Sequence, residues 1–140
     1  RTGPDARAGP ASGRAGMTYV DGFVVPVPPG KKEAYRRMAE KVGAAFRELG
    51  ALEIMEAWED DVPTGRVTDF RRAVKAQEGE SIVLSWVIWP SREARDTGNA
   101  KLMNDPRLKS DDVPFNPQRM IHGGFRPIFS TREPKPGDVA

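Results

Sequence analysis

The sequence predicts an α+β domain: a ferredoxin-like βαββαβ antiparallel sheet with two helices on one face. Three observations predict it. Ser81–Trp89 is apolar at nearly every position, as a central strand covered on both faces must be. Lys31–Leu49 carries apolar residues at three- and four-residue steps, the period of an amphipathic helix. Four strand-like and two helix-like stretches follow one another in the order of the split βαβ motif.

The elements are justified in chain order. Residues 1–16 hold Gly, Ala, Arg, Pro and Ser with no bulky apolar side chain, so burial cannot offset their ordering entropy and a disordered tail is expected. Met17 reads as the start of the folded domain, which extends to residue 130. Tyr19–Val27 is the first strand, apolar on both faces, with Tyr19, Asp21, Phe23, Val25 and Val27 on one of them. Pro26, Pro28, Pro29 and Gly30 stop it. In the helix that follows, Tyr35, Met38, Val42, Ala45, Phe46 and Leu49 form the stripe, and Gly50 stands where a C′ glycine belongs. Leu52–Asp61 is the second strand, with Ile54 and Trp58 against Met55 and Ala57, and its acidic residues keep one face or end wet.

Val62–Gly79 is a long connector in which Thr68 or Asp69 can cap a helical turn through Val74. Such a length marks a functional or interface element. In the third strand Ile82, Leu84, Trp86 and Ile88 oppose Val83, Ser85, Val87 and Trp89. Pro90 ends it and Ser91 caps the second long helix, whose apolar set of Ala94, Ala100, Leu102 and Met103 is thin enough that small residues must carry its packing. Arg119–Ser130 is the last strand, and residues 131–140 form a second disordered tail. The second sheet face is too apolar to be left in water. In a chain this short its cover is a second copy, so a homodimer is the expected partner.

Composition excludes several classes. The chain has no cysteine and one histidine, which leaves no disulfide, thiolate or multi-histidine metal chemistry within it, and no cofactor or metal is expected. No apolar run reaches the roughly 20 residues that span a bilayer, and no signal-peptide core is visible, so a cytoplasmic location and no membrane partner are expected. Arg1, Arg7 and Arg14 against Asp5 leave an excess of two positive charges in residues 1–16, equal to the whole chain's net +2. Everything from Met17 onward is neutral, which argues against nucleic acid as a partner. P-loop, dinucleotide, zincin and EF-hand motifs are all missing.

Each candidate for chemistry has a plain structural counterpart. His122 has the pKa for acid–base work and the nitrogen for haem ligation, or it is an edge-strand histidine. Asp21, a carboxylate within an apolar strand, is a general base, half of a structural pair with Arg119 or Tyr19, or a group facing water beside Gly22. Asp69, Arg71 and Arg72 on the connector form an anion clamp, or a cap and ion pair that fix the loop. Trp58, Trp86 and Trp89 with Phe125 line a pocket or fill a core. Gly123-Gly124 marks a bulge or a close backbone approach.

Four segments together are distinctive: YVDGFVVPVP, VTDFRRAVKAQEGESIVLSW, PSREARDTGNAKLMNDPR and RMIHGGF. In that order they resemble the bacterial family catalogued as domain of unknown function 1428, over about Met17–Phe129. The resemblance implies the fold of the dimeric α/β-barrel group, which includes small monooxygenases and haem-degrading enzymes, and it implies a dimer. It carries no reaction. It also implies a tyrosine where this chain has His122, so a histidine mechanism would not be a family trait. The leading reading is a homodimer that binds a small molecule or partner between the sheets or beneath the 62–79 connector. Trp58, Asp69, Arg71, Arg72, Trp86, Arg119 and His122 are its candidate binding residues. A competing reading is a cofactor-independent monooxygenase- or isomerase-like enzyme using His122, Asp21 or Arg71. RNA binding is the third and has the least physical support.

Overall fold

The computed structural model describes residues 18–108 and 113–132. The tail 1–16, most of 131–140 and part of the loop after the second long helix lie outside them. The element order is β1 Tyr19–Val27, α1 Lys32–Glu48, β2 Glu53–Trp58, α2 Phe70–Ala73, β3 Ser81–Trp89, α3 Arg92–Met103 and β4 Ile121–Phe125, with short 3-10 turns at Pro106–Leu108 and Pro117–Arg119. The four strands form one antiparallel sheet in the order β2-β3-β1-β4, the ferredoxin-like arrangement.

Register fixes the two faces. β1 and β3 pair from Tyr19 opposite Trp89 to Val27 opposite Ser81, so Tyr19, Asp21, Phe23, Val25 and Val27 share a face with Val83, Ser85, Val87 and Trp89. Ile54, Glu56 and Trp58 join them from β2, and His122 and Gly124 from β4. Both long helices cover this face. Tyr19, Ala51, Val87 and Trp89 make one buried cluster with Phe46, Leu49, Ile54 and Ala94 packed on it. Val25, Val27, Tyr35 and Val83 make the other, beneath Met38, Ala39 and Trp58. Each large side chain so buried contributes about 1.5–3 kcal/mol relative to exposure. The Phe46 and Trp89 rings meet edge-on with centroids 5.7 Å apart.

The caps follow local chemistry. Gly50 ends α1 with φ of +106°, a conformation open to glycine. Ser91 accepts the Ala94 N–H at the start of α3. Asp69, rather than Thr68, caps α2 by accepting the Arg72 N–H at 2.7 Å.

Four expectations need correction. β2 ends at Trp58, not Asp61, because the Glu59 carboxylate takes the Ile82 N–H that a longer ladder would use. β4 is five residues long, not twelve. Asn116 and Pro117 wind the chain into a 3-10 turn that includes Arg119, and Pro127 has no N–H to extend the ladder. β4 pairs with β1 in unbroken register, so Gly123-Gly124 is not a bulge. What approaches there is side chain, not backbone: a Cβ on Gly124 would lie 2.5 Å from the Tyr19 hydroxyl and would collide with the Arg95 guanidinium. On α3, Ala100 and Met103 are exposed, and Ala94 and buried Gly98 face the core.

Candidate functional site

A cleft of about 540 Å³ opens between α1 and β2. It exists because one flank of α1 is small. Ala39, Gly43 and Ala44 stand beside the sheet edge where larger side chains would fill the space. Its floor is apolar, made by Ile54, Trp58 and Val83 from adjoining strands and the Tyr35 ring from the helix. Lys32, Arg36, Glu40 and Arg47 stand along its rim.

One polar pair crosses this apolar space. The Tyr35 hydroxyl donates to Glu56 Oε1 at 2.8 Å. Tyr35 is buried; Glu56 stands in the open cleft. The surrounding protein strips enough water from Glu56 to push its pKa above the ordinary value, against the lowering effect of bonds from Tyr35 and Ser85. Burial drives the Tyr35 pKa well above its ordinary value, and the adjacent Glu56 charge adds to the effect. The pair is therefore a phenol held protonated beside a carboxyl group that ionises less readily than an ordinary one. Such a carboxyl can take up or release a proton. At the mouth, the Lys32 ammonium stands 5.2 Å from the centre of the Trp58 ring, a cation–π arrangement.

The residues singled out in the sequence fall in four places. Trp58 lines the cleft. Trp86 points from the opposite sheet face, its indole N–H donating to Glu53 at 2.8 Å. Trp89 is fully buried in the core, and Phe125 is exposed on the face opposite the helices. The four aromatics therefore do not converge.

Asp69, Arg71, Arg72 and Arg119 build two polar clusters around the connector, Asp69 with Arg72 and Arg71 with Arg119 about Glu80. Arg72 Nε lies 2.9 Å from Asp69 Oδ2. Arg71 donates to the Glu80 carbonyl at 2.7 Å and to Glu59 at 3.2 Å. Arg119 grips the Glu80 carboxylate with two bonds of 2.6 and 2.7 Å. Arg119 also donates to the carbonyl of Lys75, which holds an unusual φ of +52°.

His122 and Asp21 line neither the cleft nor these clusters. His122 is exposed on the edge strand, stacked on Phe23 with centroids 6.2 Å apart. Asp21 is buried against Arg95, 3.3 Å from its Nε, and the partner expected for it, Arg119, is engaged elsewhere. The Arg95 guanidinium also donates to the Tyr19 hydroxyl at 3.0 Å. No group of three or more residues able to hold a metal occurs among the described residues, and none of their helices is long and apolar enough to cross a membrane.

Sequence reasoning missed Glu56, Ser85 and the role of Tyr35. Tyr35 read as part of the core stripe, and Glu56 as one acid among several. The signal was present in the small residues at 39, 43 and 44, on a helix flank otherwise charged.

Residues 18–117 match the family described as "Protein of unknown function (DUF1428)". The chain belongs to this family. The DUF1428 match takes in the cleft and the connector, and it stops short of β4 with His122. The "Uncharacterized protein YbaA" of Escherichia coli K12 is 57% identical over 115 residues, covering 81% of this chain and 98% of the relative. The same identity and coverage hold for YbaA of Shigella flexneri. Among solved structures, a NIPSNAP-like domain protein from Burkholderia xenovorans is similar with a TM-score of 0.51 at 16% identity, covering 85% of this chain and 91% of that one. A nipsnap family protein from Agrobacterium tumefaciens follows at 0.50 and 16%, covering 83% and 94%. At that identity the likeness extends to the fold alone.

Proposed function

We propose that the protein is a homodimeric small-molecule-binding module, with each copy keeping its ligand in the α1–β2 cleft. The cleft carries this reading: an apolar hollow with one directed polar pair, Tyr35 and Glu56, has the composition of a ligand site. On this reading the ligand lies beneath α1, not between the sheets or under the 62–79 connector, whose arginines have their own carboxylates and carbonyls to hold.

Self-association rests on the open sheet face. Val20, Val24, Met55, Leu84, Trp86, Ile88, Ile121 and Phe125 share it, and Leu84 and Phe125 are 40% and 62% exposed. A contiguous apolar surface of this kind on a small domain is an interface. Beyond β4, Ile128 and Phe129 are exposed as well.

Two measurements test the reading. Sedimentation equilibrium should give twice the chain mass of 15.4 kDa, and Leu84→Glu should give the monomer; a stable wild-type monomer at micromolar concentration removes the dimer. A thermal-shift screen should find compounds that stabilise the wild type and have no effect on Gly43→Leu, which fills the cleft. Hits that act equally on both proteins remove the cleft.

A second reading, an acid–base enzyme without a cofactor, is favoured by the raised Glu56 pKa. It moves the proton-transfer role from His122, Asp21 or Arg71 to Glu56. Turnover of a bound compound that Glu56→Gln abolishes, with binding retained, would distinguish it from simple binding.

A further inference from the structure

We infer that the cleft takes a small organic anion: an apolar, preferably aromatic body carrying one carboxylate or similar head. The inference rests on the cleft being the ligand site and names what that site selects.

The body is set by the walls. Ile54, Val83, Trp58, Ala39 and Gly43 present apolar surface, and the hollow is of the size that holds a drug-like molecule. The head is set by the rim. Lys32 and Arg47 line the cleft and make no ion pair among the described residues. Arg36 makes only a 3.6 Å contact with Glu33, and both side chains are largely exposed. Against these three cations stand Glu40 and Glu56. Glu56 is already engaged, accepting the Tyr35 hydroxyl at 2.8 Å, and Glu40 stands one helix turn beyond Arg36. The first turn of α1 begins at Lys32, where the helix has no side-chain cap, so its backbone dipole adds positive potential at the same end.

A cation is disfavoured by the same geometry. The aromatic face that would attract it, Trp58, already has the Lys32 ammonium 5.2 Å from its centre. An incoming ammonium would displace that charge and meet Arg36, one turn further along α1, as well. A carboxylate instead completes the arrangement by pairing with Lys32 while its body lies against the indole.

The test is a titration of the full chain with phenylbutyrate, phenylbutanol and phenylbutylamine, which share a body and differ in the head. Binding is followed by the NMR signals of the Trp58 indole N–H and the Tyr35 amide. Phenylbutyrate should bind about fivefold more tightly than the alcohol, as expected of a few solvent-exposed charge contacts, and the amine most weakly. The double variant Lys32→Ala, Arg47→Ala replaces two solvent-facing side chains and should bring the carboxylate down to the alcohol's affinity. If the alcohol or amine shifts the cleft signals with equal or greater affinity, the anion inference is overturned and the cleft remains the site. A carboxylate preference that survives in the double variant also overturns it. If none of the three shifts Trp58 or Tyr35, the cleft reading itself falls.

Discussion

The Tyr35 hydroxyl donates 2.8 Å to Glu56 across the α1–β2 cleft, joining a helix to a strand 21 positions later in the chain. The bond ties the helix to the sheet edge where their apolar surfaces part to form the cleft. It also makes the cleft titratable. Glu56 has a folded-state pKa above its ordinary 4.5. Below that ordinary value both folded and unfolded chains carry the proton, and the protonated group's contribution to stability is fully present. As pH rises through the folded pKa the charge must form in poorly solvated surroundings, and that contribution is lost. Glu56→Gln keeps an oxygen for the Tyr35 bond and cannot ionise. Its melting temperature should exceed wild type at neutral pH, and the difference should close in acid below 4.5. Tyr35→Phe removes a bond that lowers the Glu56 pKa, so carboxyl NMR should show Glu56 titrating at still higher pH.

Glu80 is the hub of the connector. Its side chain is 3% exposed, and Arg119 satisfies both of its oxygens. Removing one partner of such a pair leaves a charge without its counter-ion. Arg119→Ala should therefore free the 62–79 connector and increase its cleavage by trypsin several-fold. Signals from Tyr35 and Trp58 should hardly move, because the cleft lies elsewhere. Arg119→Lys should fall between the two, since an ammonium cannot reproduce the two-point grip.

Acid should open the same connector by a second route. The Arg72 backbone N–H, the Arg72 side chain and the Gly65 N–H hold the Asp69 pKa down to about 2, below its ordinary 3.8. A depressed pKa stabilises the fold above the ordinary value, and that stabilisation is lost as pH falls from 3.8 toward 2. The Glu80 pKa is lowered too, chiefly by Arg119, and loses its grip in the same direction. Hydrogen exchange at the Gly65 and Arg72 amides, the two that Asp69 accepts from, should quicken across this window. Asp69→Asn retains an acceptor for the cap and has no charge to lose. Its Arg72 amide should exchange at a rate that varies much less over the same window.

The fold was legible because its signals are local and periodic. The alternation of Ile82, Leu84, Trp86 and Ile88 against Val83, Ser85, Val87 and Trp89 gave both faces of β3 as they are found. The three- and four-residue stripe gave α1, Ser91 marked the start of α3, and the choice of Thr68 or Asp69 bracketed the start of α2. The end of β4 was missed because Arg119 belongs to a turn that Asn116 and Pro117 nucleate, and apolar pattern outweighed that turn chemistry. The cleft was hidden for a different reason. Tyr35 meets Glu56 only once register sets Glu56 beside Ser85 and α1 lies across that strand pair. Neither residue is unusual in its own segment. The conspicuous residues, His122 and Asp21, stand out by rarity in the sequence, and the structure gives each a neighbour, Phe23 and Arg95, outside the cleft.

Two glycines inside helices should respond to alanine with opposite signs. At Gly98 on α3 an added Cβ would lie 2.5 Å from the Trp89 ring, and Trp89 is fully buried with nowhere to yield. Overpacking of that kind costs about 1–3 kcal/mol, more than the helix-propensity gain of at most ~1 kcal/mol. Gly98→Ala should therefore lower stability in urea denaturation. At Gly43 on α1 the nearest atom to an added Cβ is an Ile54 methyl at 4.0 Å, an ordinary contact. Only the propensity gain applies, so Gly43→Ala should raise stability by about 0.5–1 kcal/mol. The helix would be sturdier with alanine there, yet this chain has glycine where the cleft needs room. If Gly43→Ala narrows the cleft, phenylbutyrate affinity should fall even as stability rises. A loss of affinity together with a loss of stability would instead mean that Gly43 serves the packing of α1 and not the cleft.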